Sequence, residues 1–173
     1  MSAFNERLKH GKVGESQIAN WLKARGNNIL PIYEIEKGQY AGPAVYSHDG
    51  SSLIAPDMLC FGNGQTLWIE AKHKSAFTWH RISQKWVTGI DIHHYEQYIK
   101  ISMLVDWPVW LLFLHSEGIA KDTPEGMESP TGLFGGELAH LISNENHRHN
   151  NHGKSGMVYW CVKSLKKISD YPL

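Results

Sequence analysis

Apolar residues near the N-terminus of the chain recur at helical spacing. Leu8, Ile18 and Leu22 fall on one stripe, with Ala19 beside them and with Gly11 and Glu15 on the same line. That pattern predicts a helix from Asn5 to Arg25, closed by Gly26. The period then shortens. Ile29 to Glu36, Leu53 to Phe61 and Thr66 to Lys72 read as three successive strands, with the Gly-rich stretch Lys37 to Ser52 as a loop. Ser75 to Gly89 reads as a further loop that carries Phe77, Trp79 and Trp86. Ile92, Tyr95, Ile99 and Met103 form the apolar stripe of a second helix over Asp91 to Leu104, with Asp91 as its N-cap. Val105 to His115 is so apolar that it predicts a central strand covered on both faces, and Met157 to Leu165 reads as the next strand. Between them, 116–156 is rich in Gly, Pro and Asn and reads as a loop-rich insertion, with a short helix within Leu133 to Ile142. No internal repeat is visible.

The sharpest local signal lies between the second and third strands. Asn63-Gly64, flanked by apolar runs, predicts a two-residue hairpin turn. With that pair at the tip, Gly62 pairs with Gln65. Counting outward, Asp57 then stands opposite Glu70, their Cβ atoms roughly 5 Å apart. Two carboxylates so placed repel each other. A hard cation between them would relieve the repulsion and could recruit a water nucleophile. Alternation puts Lys72 on the face of Glu70, and sends Leu67, Ile69 and Ala71 to the opposite face and into a core. The plain alternative is a pair of exposed carboxylates on a solvated hairpin.

Pro56-Asp57, a short gap, and then Glu70-Ala71-Lys72 across a hairpin resembles the PD-(D/E)xK nuclease superfamily. That is the fold of many restriction enzymes, archaeal Holliday-junction resolvases and RecB-type nucleases. The resemblance covers roughly residues 5 to 115 with motifs and the remainder by strand pattern only. It implies an α/β, restriction-endonuclease-like core, a mixed central β-sheet flanked by helices, as a single domain over 1–173. It also implies a metal-dependent phosphodiesterase acting on DNA. Asp57, Glu70 and the Ala71 carbonyl would bind magnesium or manganese, and Lys72 would orient the attacking water and stabilise the pentacovalent phosphate. Gly11, Lys12, Val13, Gly14 and Glu15 resemble the family's first helix, whose glutamate reaches the metal site directly or through water. The glycines would let that helix come close. Glu15 is otherwise a helix-edge residue reaching water. RecB-like members carry Gln and Tyr where this chain has His94 and Tyr98, near the DNA backbone. A surface histidine and a half-buried tyrosine explain that pair equally well.

With 173 residues, the chain is long enough for one domain with a real core. Its formal net charge is zero, so charge alone gives no support for nucleic-acid binding. The distribution changes that picture. From Ala71 to Ile90 there is no acid, while Lys72, Lys74, Arg81 and Lys85 occur with His73 and His80. From Ser116 to Asn146 the acids prevail, with Lys121 the lone base. The basic run follows the proposed catalytic strand directly. Lys74, Trp79, His80, Arg81, Lys85, His94 and Tyr98 are therefore the expected nucleic-acid contacts. Trp86 is expected to pack the loop down. His147, His149 and His152 invite a zinc reading, but the Asn-rich surroundings and the lack of a nearby cysteine speak against it. Cys60 and Cys161 lie in apolar runs and are expected as buried free thiols of a reducing compartment. No apolar stretch of about 18 residues predicts a membrane span, and no signal core leads the chain, so a cytoplasmic protein without a membrane partner is expected.

Small size and the first-helix glutamate are closest to the resolvase branch. That implies a homodimer that cuts by DNA shape with little sequence specificity. The alternatives are a repair, restriction or mobile-element nuclease working beside a partner protein, or a nucleic-acid-binding module that kept the fold without catalysis.

Overall fold

The structure is a computed structural model that describes residues 3–32, 43–120, 122–153 and 155–173, with the side chains of 3–10 outside the description. The class is mixed α/β. Six strands form the main sheet in the order β1-β4-β5-β8-β9-β12: β1 Asn28–Pro31, β4 Met58–Gly62, β5 Gln65–Lys74, β8 Val109–His115, β9 Gly132–Glu137 and β12 Lys166–Ser169. Among the described residues, only the β5–β8 pair of this sheet is parallel. A second sheet, β10-β11-β7-β6, is wholly antiparallel; its strands are β6 Thr78–His80, β7 Lys85–Asp91, β10 His147–His149 and β11 Met157–Cys161. A small hairpin pairs β2 Ala44–Tyr46 with β3 Ser52–Ile54. The helices are α1 Ala3–Lys23, α2 Ile92–Leu104 and α3 Leu138–Ile142.

The β4–β5 hairpin has the register that its turn demands. Asn63 and Gly64 both have positive φ (52° and 75°), as a type I′ turn requires, and pairing runs from Gly62↔Gln65 to Met58↔Ile69. From there alternation divides the core. Leu67, Ile69 and Ala71 pack with Ile18 and Leu22 of α1 and with Leu112, Leu114 and Leu133. On the other face, Leu111, Phe113 and Phe134 pack with Tyr95, Tyr98 and Ile101 of α2 and with Trp86, Val158 and Trp160 of the second sheet. β8 is thus covered on both faces, as predicted, but it begins only at Val109, beyond Pro108.

Several elements differ from expectation. The expected second strand is broken at 55–57, where Pro56 has no amide to give, and its first part becomes β3. The end of the expected Gly-rich loop is β2, turned back onto β3 through Asp49, whose Oδ1 accepts from the Ser51 amide at 2.9 Å. The rest of that loop, 37–42, and residues 33–36 of the first expected strand lie outside the described residues. The expected loop over Ser75 to Gly89 is the β6–β7 hairpin. Gly89, which suggested a loop, lies where the Val158 carbonyl passes: a Cβ there would stand 2.1 Å from that oxygen. Gly132, Gly135 and Gly136 likewise suggested a loop, yet they belong to β9 inside the main sheet. A Cβ on Gly135 would meet Leu112 at 2.5 Å and Ile168 at 2.8 Å. The expected strand Met157 to Leu165 ends at Cys161, passes through a 3-10 turn over Val162–Ser164, and delivers β12 to the other sheet.

Asp91 precedes α2 but makes no side-chain cap hydrogen bond. The helix buries Tyr95, Tyr98 and Ile101, leaving Met103 80 % exposed, so the apolar stripe is rotated from the one the sequence suggested. Gly14 does permit a close approach, since a Cβ there would stand 2.1 Å from His73 Cβ; nothing lies within 4 Å of the same atom on Gly11. Cys60 and Cys161 are buried and unpaired. No helix among the described residues is long and apolar enough to cross a membrane.

Candidate active site

The sheet brings Asp57, Glu70 and Lys72 together where the β4–β5 ladder ends. Asp57 is not a ladder residue. Pairing stops at Met58, and the chain turns so that the Asp57 carbonyl accepts from Ile32 N–H at 3.0 Å. Its side chain swings back instead, and Oδ2 accepts from the Ala71 amide at 2.8 Å. The carboxylate therefore takes the place of a strand acceptor beside β5. A strand residue presents its N–H and C=O to the same neighbour, so the Ala71 carbonyl also faces the Asp57 side.

Glu70 is 1 % exposed. Neither of its oxygens accepts a hydrogen bond of good geometry, and the Lys72 ammonium pairs with Oε1. A buried carboxylate left so poorly satisfied is unstable unless a cation compensates it. The Tyr98 hydroxyl, itself buried, faces Glu70 from α2. Burial first, and then the Glu70 charge, hold that phenol well above its usual range. Burial is also the main cause that lifts the Asp57 carboxyl well above the ordinary carboxylate range; the Glu70 charge adds to it, against the pull of Lys72 and the Ala71 amide. For Lys72, burial would lower the pKa, but the charges of Glu70 and Asp57 outweigh it, and the ammonium is held above its normal value. Glu15 on α1 lies within the same field. Burial raises its pKa, Lys72 opposes, and Glu70 raises it further.

Asp57, Glu70 and the Ala71 carbonyl form an oxygen donor set that suits a hard cation. Among the described residues, no three His, Cys, Asp or Glu side chains gather closely enough to hold a metal ion. Glu15 is coupled by charge to Glu70 and Lys72 but forms no such group with Asp57 and Glu70. His149 and His152 stack ring on ring at 3.6 Å, and His152 Nδ1 is 2.8 Å from the Tyr159 hydroxyl.

The expected nucleic-acid contacts fall into separate places. His94 and Tyr98 belong to the carboxylate site. His94 is half-buried, and burial, followed by the Lys72 charge, lowers its pKa. Tyr98, at 2 % exposure, offers no surface to a DNA backbone. Lys74 is also not a free surface cation. Its ammonium donates to the Gly89 carbonyl at 2.6 Å, and its pKa is pushed down to about 8 by burial and then by Lys72, against Asp91. Asp91 is a neighbour that no local pattern reveals, because it meets Lys74 only where β7 passes the end of β5. Arg81 and Lys85 are exposed on the β6–β7 hairpin, Arg81 pairing with Asp122 at 3.2 Å. His80 and Trp79 are half-buried on the same hairpin. Trp79 packs edge-on against Trp86, which is buried as expected.

No family model matches the chain, and no curated protein matches its sequence. Among solved structures it is similar to Archaeoglobus fulgidus Hjc, a Holliday junction resolvase from an archaeal hyperthermophile. The two are 10 % identical, with 89 % of this chain and 90 % of that one covered and a TM-score of 0.49. A likeness at that level does not bear on activity.

Proposed function

We propose that the protein is a metal-dependent nuclease that hydrolyses DNA phosphodiester bonds at the Asp57–Glu70–Lys72 site. The observation that carries this reading is Glu70: a fully buried carboxylate paired with Lys72, beside a second carboxylate whose ionisation the site disfavours. A fold bears such a cost where the charges have work to do. Asp57, Glu70 and the Ala71 carbonyl would hold magnesium or manganese, with Glu15 acting through water. When bound, that ion would supply Lewis-acid polarisation of the phosphoryl group and a more acidic attacking water. Asp57 is fixed for this by the Ala71 amide, so its free oxygen is aimed without loss of side-chain freedom at the moment of binding. Lys72 stays protonated at neutral pH, and its ammonium orients the nucleophile and counters charge developing on phosphorus oxygens. Tyr98 lies beside Glu70 on the core side. The reading extends to a homodimer of low sequence specificity, selective for DNA shape as in the resolvases that the motifs resemble.

One observation favours a second reading. Lys72 already neutralises Glu70, so the site can persist without a metal in a nucleic-acid-binding module that does not cut. Labelled linear, branched and single-stranded DNA, incubated with and without magnesium or manganese, separates the two. Glu70→Ala and Lys72→Ala should each reduce cleavage at least ~100-fold, a loss of about 2.7 kcal/mol of transition-state stabilisation, with folding retained. Cleavage by a well-folded Glu70→Ala protein at the wild-type rate would overturn the assignment.

A further inference from the structure

The β6–β7 hairpin carries a feature that the nuclease site does not use. Its four-residue loop, Arg81 to Gln84, presents Ile82 at 92 % exposure, the most exposed large apolar side chain described. Exposed single hydrophobics are common on protein surfaces, and exposure alone means little. Here the position is braced and its flanks are cationic. Gln84 sits at φ 49°, which fixes the turn. His80 Nδ1 is 2.7 Å from Ser83 Oγ within the loop. Behind it, the His80 ring stacks on His147 at 3.9 Å, and His147 stacks on Tyr159 at 4.6 Å, so three parallel rings brace the hairpin against β10 and β11. On the other face Trp79 and Trp86 pack edge to face. Arg81 and Lys85 flank the isoleucine, both exposed. Arg81 holds only a surface pair with Asp122, weak enough to exchange for a phosphate. The other end of β7 is anchored to the site, because Lys74 on β5 donates to the Gly89 carbonyl.

We propose that this hairpin tip is a wedge: Ile82 inserts between stacked base pairs of duplex DNA while Arg81 and Lys85 hold the flanking phosphates. An apolar side chain on a braced turn with cations on either side is the build that unstacks a base step and kinks a duplex. The proposal rests on the nuclease reading for its substrate and adds how that substrate is deformed. From Gly89 to the loop is four strand residues plus the turn, roughly 20 Å at about 3.3 Å per residue. The four β5 residues from Glu70 to Lys74 add about 13 Å. The opened step therefore lies on the order of ten base pairs from the cut, at 3.4 Å per base pair.

The test uses the full chain and duplexes in which 2-aminopurine replaces one adenine at a time. Binding is measured in chelator and cleavage in magnesium, in parallel. Wild-type protein should raise 2-aminopurine fluorescence several-fold at one or more steps. Ile82→Ser should abolish that rise while binding the duplex within about tenfold of wild type, and Ile82→Met should keep it. An unchanged melting temperature shows that the variants fold. Cleavage by a wild-type protein that raises fluorescence at no step overturns the wedge and leaves the nuclease reading standing. Unstacking without any cleavage does the reverse. Equal fluorescence from Ile82→Ser, or no duplex binding at all, also overturns the wedge and leaves Ile82 to a protein partner.

Discussion

Asp57→Asn separates the electrostatics of the site from its chemistry, and the outcome can be worked out before any substrate is known. In the folded protein, burial first and the Glu70 charge second raise the Asp57 pKa well above the ordinary carboxylate value. The sign follows. A carboxyl whose folded pKa is raised binds its proton more tightly in the native than in the unfolded state. The native state therefore gains stability as pH falls through the folded pKa, and above it the ionised form is a net burden. Asparagine removes that charge. It also keeps an oxygen to accept from the Ala71 amide, so the 2.8 Å hydrogen bond that fixes this end of the hairpin survives. In chelator at neutral pH the variant should thus be no less stable than wild type. Magnesium that binds only the native site stabilises wild type by RT ln(1 + [L]/Kd), about 2.7 kcal/mol at a hundredfold excess over Kd. For a chain of this length that corresponds to a rise in melting temperature of roughly 5–11 °C. With one of two carboxylates gone, most of that rise should vanish in Asp57→Asn. Thermal unfolding of both proteins in chelator and in magnesium reads all four values. An equal magnesium shift in the variant would place the metal elsewhere. No shift in wild type would mean that the Asp57–Glu70 pair does not hold the ion.

Glu15→Gln should weaken cleavage mainly at limiting magnesium and be partly rescued by manganese, since Glu15 contributes charge without completing a carboxylate cage; normal activity at limiting magnesium would make it structural only. Replacing Arg81 and Lys85 by alanine should flatten the salt dependence of DNA binding by about one slope unit per lost phosphate contact, whereas Lys74→Ala should leave the slope unchanged, because its ammonium is tied to the Gly89 carbonyl. His115 is fully buried against Phe77, and burial followed by the Lys74 charge pushes its pKa down to about 3. The unfolded state then takes up the proton first, so this histidine should make stability fall by about 1.4 kcal/mol per pH unit from about pH 6.5 down to its folded pKa. Urea unfolding of wild type and His115→Phe should differ in slope by that amount over this range, and parallel curves would refute the assignment.

What could be read from the sequence, and what could not, divides by the range of the contact involved. The β4–β5 register was legible because two adjacent residues impose it: Asn63 and Gly64 accept positive φ, and every pair outward follows. The division of Ala71 from Glu70 and Lys72 then needs only alternation. One pair beyond Met58↔Ile69 the same logic overreached. The ladder was expected to continue to Asp57 and Glu70 face to face, but Pro56 interrupts the strand, and Asp57 reaches Ala71 with its side chain while its backbone serves β1. Both versions bring the carboxylates together, and only the structure shows one of them acting as a strand acceptor. The glycines failed for the opposite reason. Gly89 and Gly135 look like loop residues because the groups that require them, the Val158 carbonyl and the Leu112 and Ile168 side chains, lie far along the chain. A residue without a Cβ has two meanings, backbone freedom or close approach, and nothing local tells them apart. Tyr98 belongs with these. Its helical spacing from His94 was visible, but which side of α2 meets the sheet is decided by the packing of β7 and β11, and that packing turned a supposed DNA contact into a buried neighbour of Glu70.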